Sequence, residues 1–440
     1  MSTHLSRRLQ ADFRELLRSF SSSKKVVTSD SVFRLEFQVA RFIHDNQPNP
    51  VIVNTEKGLV ASNLLATREA LFKAIDATSD AEAYSKMSRA LTSPTRIEKI
   101  ESPQVASLGD DLYKLPIPKF FELDGGHYIT AGIFIAKELQ GNAVNASIHR
   151  AMLLDESHLA VRLVPRHLYH MFIAAEKANR PLRAAILVGA PPVLYVAAAS
   201  SPAYGVYEAE VANTLAGGLL TATTELLEGV PLPIPSEYII LGEFIPNRRA
   251  REGPFVDILA TYDEVRDEPV FEVHEILARP DPLFYSILPS GYEHILLMGF
   301  PREVSIWESV SRVVPRVHKV RLPISGGGWL YAIVSIDKST EGDAKNAIMA
   351  AFAGHPSLKM VVIVDSDIDP DKAEEVEWAV VTRMQPDEDL VVLRGARGSS
   401  LDPSADQKSL ITSKLGIDAT RPLSKPEWLF KKARIPDQPA

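Results

Sequence analysis

The middle of the chain carries the pattern that most restricts how it can fold. From Tyr128 to about Met298, short β-rich runs such as YITAGIFIA (128–136) and EYIILGEFI (237–245) alternate with turns that contain Pro and Gly. Strands at this spacing favour a small barrel or sandwich. A single helical segment, roughly Glu208 to Leu220, is expected to interrupt them.

The N-terminal segment mixes helical and strand patterns. Apolar residues recur at three- and four-residue steps from Leu5 to Phe20, which predicts an amphipathic helix. An apolar strand around Val51 to Val53 and helical patterns near residues 67–92 follow. We therefore expect a small α/β unit that ends near the Pro-rich segment Leu115–Pro118.

The C-terminal segment also alternates strands with helices. Fully apolar strands are predicted at 330–336, 360–367 and 389–394, with helices at 342–353 and 371–382 between them. This order predicts a mostly parallel sheet covered on both faces.

The fold class is accordingly predicted as α/β, or α+β when the whole chain is considered. Four parts are expected: an N-terminal α/β domain (1–115), a central β-rich domain (116–302), a C-terminal α/β domain (303–420) and a Pro-rich arm (421–440).

Composition excludes several classes of function. The 48 Lys and Arg residues against 56 Asp and Glu residues give a net charge of −8, which argues against general affinity for nucleic acid. Cysteine is absent, which excludes disulfides, thiolate nucleophiles and Cys-ligated metals. The N-terminus has no apolar signal region, and the most apolar stretch (184–199) contains two prolines and is too short to span a bilayer. We expect a cytoplasmic protein without membrane insertion.

Four segments of the central domain combine residues that can carry chemistry. They are Asn145–Arg150 (NASIHR), Arg162–His167 (RLVPRH), Glu208–Gly217 (EAEVANTLAG) and Arg251–Asp257 (REGPFVD). Taken singly, each has a structural explanation, because an Asn or His in a β-domain is usually a hydrogen-bonded core group.

Taken together and in this order, the segments resemble the UbiD family of decarboxylases. The family's Asn five residues before an Arg fits Asn145 and Arg150, and its Glu-x-x-x-Ala-x-x-Leu-x-Gly pattern begins at Glu208. Residues 233–239, 252–257, 365–392 and 413–420 resemble further family motifs. The chain departs from the family pattern at Leu241, Val256 and His149, the last of which stands where an aromatic residue is common.

The resemblance implies a central split β-barrel that binds prenylated FMN (prFMN), with Mn2+ or Mg2+ and K+ as a further cation. It also implies a non-oxidative carboxy-lyase for α,β-unsaturated or aromatic acids. Loss of CO2 from a vinylic carbon leaves an unstabilised carbanion, and the modified flavin supplies the electron sink. The implied partners are a flavin prenyltransferase, which supplies the cofactor, and further copies of the chain, as a dimer or hexamer joined through the C-terminal domain.

Metal and cofactor residues follow from the matched motifs. Asn145, His167 and Glu208 are the implied metal ligands, a hard-to-borderline set of donors. His170 and Glu210 are competing candidates, although the motif register favours His167 and Glu208. The implied cofactor-binding residues are Asn145, Ser147, Ile148, His149, Arg150, Arg162, Leu163, Val164, His167, Glu208 and Lys414, with Lys414 directed to the flavin phosphate.

The implied catalytic residues are Arg150, Glu252 and Asp257. Arg150 would bind a carboxylate or the flavin and would be held by Glu252. Asp257 would donate the proton that replaces CO2.

The substrate is the least determined part. We favour an archaeal family branch, which converts trans-anhydromevalonate 5-phosphate to isopentenyl phosphate in isoprenoid biosynthesis. The basic run Asn247–Arg251 fits a phosphorylated substrate, although a solvated turn explains it equally well. An aromatic or heteroaromatic acid decarboxylase, of the 4-hydroxybenzoate type, is the first alternative, and an FMN-dependent oxidoreductase is the alternative from another class.

Overall fold

A computed structural model describes residues 9–22 and 25–433. The chain divides into two compact units, Met1–Pro301 and Arg302–Ala440. The predicted division into four parts, with a boundary near residue 115, stays a prediction. Leu5, the first residue of the predicted N-terminal helix, lies outside the described residues, and so does the end of the predicted arm.

The first unit contains most of the helices and strands. Its helices are α1 (Phe13–Ser21), α2 (Gln38–Asp45), α3 (Arg68–Ala74), α4 (Asp80–Thr92), α5 (His167–Lys177), α6 (Pro192–Ala198), α7 (Glu208–Leu215) and α8 (Tyr292–Val310), which continues into the second unit. Its strands are β1 (Val27–Phe33), β2 (Val51–Thr55), β3 (Gly58–Ser62), β4 (Lys99–Ile100), β5 (Ala106–Ser107), β6 (Tyr128–Lys137), β7 (Val144–Leu153), β8 (His158–Val161), β9 (Leu182–Val188), β10 (Thr221–Thr223), β11 (Leu232–Ile234), β12 (Tyr238–Glu252), β13 (Phe255–Val256), β14 (Tyr262–Asp263), β15 (Arg266–Ala278) and β16 (Leu283–Tyr285).

The N-terminal residues form a four-stranded sheet in the order β1-β2-β3-β16. The predicted strand around Val51 and the helices near 67–92 are present. Thr67 and Ser79 cap α3 and α4 by accepting backbone N–H bonds, which explains where these helices begin. The fourth strand, β16, comes from beyond the central strands, so the sheet is completed by a distant part of the chain.

A closed six-stranded barrel occupies the centre of this unit. The strand order β12-β9-β6-β7-β8-β15 is closed by pairing between β12 and β15. Phe134, Phe244 and Phe271 are fully buried and pack against one another, with ring centroids 5.1–5.9 Å apart. Of the two architectures left open by the strand spacing, the barrel is therefore the one formed, and the predicted fold class is confirmed.

The helices of the central region differ in detail from the prediction. The apolar stretch 184–199 divides into strand β9 and helix α6, with Pro192 at the first turn of the helix, where a missing N–H has no cost. Helix α7 ends at Leu215, earlier than predicted, because Gly217 and Gly218 adopt positive φ angles of 65° and 81°.

The second unit is built on one five-stranded sheet. Its strands are β17 (Arg316–Arg321), β18 (Tyr331–Asp337), β19 (Met360–Asp365), β20 (Leu390–Arg397) and β21 (Ile411–Ala419), and its helices are α9 (Asp343–Gly354), α10 (Ala373–Arg383) and α11 (Pro386–Asp389). The sheet order is β17-β18-β19-β21-β20. Val362 and Val364 pack against α10, whereas Gly416, paired with Val361, lies against Ile348 of α9, so helices cover both faces as predicted.

The prediction of a mostly parallel sheet is confirmed for the three central strands and wrong for the two edge strands. Strands β18, β19 and β21 are parallel, but β17 and β20 are antiparallel to their neighbours. Residues 398–410, which join β20 to β21, contain no helix, and a parallel pairing would need such a crossover. A search of the described residues finds no helix with the length and apolar character that a membrane crossing requires.

Candidate active site

Strand β7 and the first residues of two helices bring the three predicted metal ligands together. The Nδ2 of Asn145 donates to Oε1 of Glu208 at 2.8 Å, and the backbone N–H of Ala146 donates to Oε2 at 2.7 Å. The Nδ1 of His167 lies 4.0 Å from Oε1 of Glu208. Both Asn145 and Glu208 are buried. An amide, a carboxylate and an imidazole therefore converge on one point.

The charges at this point suit a divalent cation. Burial raises the pKa of Glu208 to about 8, although the N–H donors of Ala146 and Asn145 lower it. Burial also lowers the pKa of His167, with help from Arg166 and His170, which favours the neutral imidazole that binds metals. A buried carboxyl of this kind needs either a proton or a cation close by. The residues present thus fit Mn2+ or Mg2+.

The competing candidates lie beside these residues. His170 is exposed one turn after His167, and the ring of Tyr204 packs edge-on against both imidazoles, with centroids 5.3 and 5.5 Å away. Glu208, and not Glu210, is the carboxylate that contacts Asn145. This contact favours the predicted register.

A line of polar contacts continues along β7 from Asn145. The Oγ of Ser147 lies 2.8 Å from the Asn145 amide and 2.8 Å from Nε2 of His149. The Nδ1 of His149 lies 3.0 Å from the carbonyl oxygen of Arg162. Three further residues predicted to bind the cofactor lie nearby in the chain. Ile148 is half-buried on the same strand, and after β8 Leu163 is buried and Val164 is exposed.

A second group surrounds Arg150. Its Nε and Nη2 donate to the two carboxylate oxygens of Glu252, at 2.8 and 2.9 Å, and Nη2 also donates to Asp263 at 3.1 Å. The guanidinium carbon lies 4.8 Å from the ring centre of Phe255. Burial alone would lower the pKa of Arg150, but Glu252, Asp263 and Asp257 outweigh it and raise the pKa. The predicted pair of Arg150 and Glu252 is thus in contact.

Asp257 lies in the loop of a small hairpin formed by β13 and β14. Its backbone N–H donates to the carbonyl of Thr261 at 2.9 Å, and its Oδ1 accepts the N–H of Ile258 at 2.6 Å. Within the described residues, Glu252 and Asp263 are the carboxylates bonded to Arg150, and Asp257 is not. The half-buried carboxyl of Asp257 is therefore held by its own loop.

Sequence reasoning missed several residues of this group. Asp263 also pairs with Arg266, and Arg162 pairs with Glu268 at 2.6 Å. His294 lies in the first turn of α8 and accepts the N–H of Ser290 through Nδ1 at 3.0 Å. Burial lowers the pKa of His294, while Asp257 raises it in part. Asp263 is brought to this group by the register of the hairpin, which pairs it with Phe255, and no pattern in the sequence signals that register.

Two further predicted features have contacts of their own. Lys414 lies on β21 in the second unit, where its Nζ donates to the carbonyl of Pro356 and burial lowers its pKa. In the basic run, Arg249 is bound by Glu176 through two hydrogen bonds of 2.7 and 2.9 Å. The neighbouring Arg248 and Arg251 are exposed. The run is therefore a solvent-exposed part of strand β12, beside an irregularity in its pairing with β15, and Arg249 is already paired.

A cavity of about 550 Å3 lies elsewhere on the first unit. Its lining includes Arg183, Leu227 and His274 but none of the predicted site residues. Near it, ligand atoms of Glu243, Glu272 and His274 lie within 4.8 Å of one another. We assign the site from the converging chemistry around Asn145 and Arg150, because cavity size alone identifies no reaction.

Comparison with known proteins adds three findings. Residues 98–292 match the model of the 3-octaprenyl-4-hydroxybenzoate carboxy-lyase Rift-related domain (UbiD), and residues 295–419 match the C-terminal domain of that family. The anhydromevalonate phosphate decarboxylase of Aeropyrum pernix is 41% identical over 424 residues, which cover 96% of each chain.

Solved structures also resemble the chain and belong to UbiD-class enzymes. The UbiD-class enzyme HmfF from Pelotomaculum thermopropionicum, in complex with FMN, has a TM-score of 0.92 and 33% identity over 96% of this chain and 97% of that one. An evolved dimeric form of HmfF, in complex with prFMN, has a TM-score of 0.87 and 31% identity over 97% of each chain.

Proposed function

Because the chain belongs to the UbiD family of carboxy-lyases, we propose that it removes CO2 from trans-anhydromevalonate 5-phosphate and yields isopentenyl phosphate. The choice of this substrate is supported by the 41% identity to the Aeropyrum pernix decarboxylase across 96% of both chains. The observation that supports the reaction is the contact of Arg150 with Glu252 beside the loop of Asp257.

The reaction breaks one carbon–carbon bond and forms one carbon–hydrogen bond. When bound, prFMN supplies the sink for the electron pair that CO2 leaves behind. In the described part of the chain, Nε and Nη2 of Arg150 are taken by Glu252 and Asp263, whereas Nη1 has no hydrogen bond. We assign Nη1 as the donor that orients the substrate carboxylate or the flavin.

Asp257 is the proposed proton donor. A proton must reach the carbon that has lost CO2, and the carboxyl of Asp257 is carried on a half-buried loop next to Arg150. After each turnover the carboxylate takes a new proton from solvent. Glu252 cannot serve in this way, because both of its oxygens are bound by Arg150.

Asn145, His167 and Glu208 are the proposed ligands of Mn2+ or Mg2+, which would connect the flavin phosphate to the protein. The support is their convergence and the buried carboxyl of Glu208. Lys414 and the residues along β7 and after β8 remain the proposed flavin contacts. A flavin prenyltransferase is the proposed source of the cofactor.

We further propose that the chain forms homo-oligomers through its second unit. On the edge strand β20, Leu390 and Val392 are exposed, as is Ile411 on the adjoining β21. Exposed apolar residues on an unpaired edge favour burial by another chain.

The test is CO2 release from trans-anhydromevalonate 5-phosphate by protein produced together with a flavin prenyltransferase. Absorption spectra first establish that prFMN is bound. CO2 that appears with wild type and disappears with Asp257→Asn supports the proposal. Verified holoenzyme that releases no CO2 from this acid, but does so from an aromatic acid, would replace the substrate and leave the reaction class intact. The unphosphorylated acid serves as the control for recognition of the phosphate.

A further inference from the structure

We infer that Ser147 and His149 form a relay of hydrogen bonds that turns the amide oxygen of Asn145 toward the metal. The relay rests on the metal site proposed above. Asn145 would contact the metal, and Ser147 and His149 would act through it as positioning residues.

The relay is defined by four contacts in a line. The carbonyl of Arg162 lies 3.0 Å from Nδ1 of His149, whose Nε2 lies 2.8 Å from Oγ of Ser147. That Oγ lies 2.8 Å from Oδ1 of Asn145, whose Nδ2 lies 2.8 Å from Glu208. Residues 145, 147 and 149 share one face of β7 because side chains alternate along a strand.

The direction of the first bond is fixed by the carbonyl of Arg162. A carbonyl oxygen only accepts, so Nδ1 of His149 must carry a proton. Burial, with a smaller contribution from the charges of Arg166 and Arg162, lowers the pKa of His149 to about 4 against the opposing effect of the Arg162 carbonyl. At neutral pH the ring therefore holds one proton, and Nε2 is an acceptor.

Ser147 must then give its single hydroxyl proton to Nε2 of His149. This leaves only lone pairs on Oγ to face Asn145. With Oδ1 of Asn145 turned toward Ser147, two acceptors meet at 2.8 Å and the contact lacks a proton. If the amide rotates by a half-turn, Nδ2 donates to Oγ, and every contact from Asn145 to Arg162 has one donor and one acceptor.

The rotated amide places Oδ1 against the carboxylate of Glu208. Two oxygen acceptors at the 2.8 Å separation of this contact repel each other unless a proton or a cation lies between them. The relay thus favours the orientation of Asn145 that a metal ligand needs.

The test measures Mn2+ binding to metal-free protein by calorimetry. His149→Phe keeps a ring of similar shape but removes both nitrogens, and Ser147→Ala removes the hydroxyl. We expect each to weaken Mn2+ binding by about 10- to 100-fold, the usual cost of losing an outer partner of a metal ligand. His149→Gln, which offers an N–H and an oxygen at similar separation, should stay closer to wild type. The double variant Ser147→Ala/His149→Phe should lose no more than either single variant.

Controls separate the relay from loss of folding and from failure of the metal site. His44→Phe changes an exposed histidine and should bind Mn2+ like wild type, and thermal unfolding shows whether each variant is folded. Wild-type affinity in folded His149→Phe or Ser147→Ala overturns the relay, as do equal losses in His149→Phe and His149→Gln. If Glu208→Gln also binds Mn2+ like wild type, the proposed metal site itself is wrong.

Discussion

Arg150 and Glu252 are joined by two parallel hydrogen bonds, of 2.8 and 2.9 Å, between residues that belong to strands β7 and β12. A two-pronged contact fixes the plane of the guanidinium as well as its position. Since Glu252 is fully buried, solvent does not compete for the pair. The Nη1 group of Arg150, which Glu252 does not bind, is therefore held in one defined direction.

We expect Arg150→Lys to lower kcat by about 100-fold, because an ammonium group cannot reproduce the fork and small displacements of a reacting group are costly. Steady-state CO2 release measures the effect, and the flavin spectrum shows whether the cofactor is retained. Arg251→Lys, at the exposed neighbour of Glu252, is the matched control. An unchanged kcat in Arg150→Lys would contradict the assigned role.

Asp257→Asn should lower turnover by about 10²- to 10⁴-fold, the range for removal of a general acid, while prFMN binding is retained. The amide keeps the shape of the loop but cannot deliver the proton. Glu264→Gln removes a carboxylate that is 84% exposed in the same region and should leave turnover unchanged. Substantial CO2 release by folded, flavin-loaded Asp257→Asn would refute the proton-donor role.

Asp263→Asn should lower kcat about tenfold, less than the loss expected for Arg150→Lys, because Arg150 keeps both bonds to Glu252. The change removes the charge that faces both Arg150 and Arg266. Asp267→Asn, at an exposed position on β15, is the matched control, because it makes the same change in net charge. A comparison of kcat and KM between the two variants separates the effect of the ion pairs from that of net charge. Identical kinetics in the two variants would show that Asp263 is not needed.

Metal content should distinguish the two candidate carboxylates and the two candidate histidines. Glu208→Gln and His167→Ala should lose bound Mn2+ and with it most of the flavin, whereas Glu210→Gln and His170→Ala should keep both. The reason is that Glu208 contacts Asn145 and lies near His167. Elemental analysis and flavin absorbance of purified protein make the comparison, and the reverse pattern would move the site to Glu210 or His170.

Stability should fall as the pH rises through the range in which Glu293 ionises. Burial raises its pKa from 4.5 to about 7, although Tyr285 and the N–H groups of Leu65 and Asn63 lower it. Between these values the folded protein holds a proton that the unfolded chain has released, so higher pH favours unfolding. We expect the unfolding temperature to decrease from about pH 5 to about pH 8, and less so in Glu293→Gln. Parallel pH curves for the two proteins would exclude this explanation.

The ordered motifs of the family resemblance predicted which residues lie together. Asn145 contacts Glu208, and Arg150 contacts Glu252. Asp263 lies six residues beyond its nearest motif, and only the register of a hairpin brings it to Arg150. No periodicity in a single sequence encodes such a register.

The strand directions of the second unit show the same limit. The apolar run at 389–394 predicts a strand, which the structure has as β20, but its direction depends on the helix-free connection to β21, which composition does not reveal. The arginines at 248–251 show a related limit, since their sequence fits a phosphate site and a solvated segment equally well, and the structure pairs Arg249 with Glu176. Charge patterns give the groups present, and only packing determines which of them are already paired.

The hairpin that carries Asp257 is a sheet of its own, separate from the ladders that close the barrel. Changes in residues 258–261 can therefore alter the surroundings of the Asp257 carboxyl without shifting any barrel strand. The barrel strands can therefore stay fixed while the hairpin loop varies. To change the carboxylic acid that the enzyme accepts, this loop should be varied first, because a variant that loses activity should still fold.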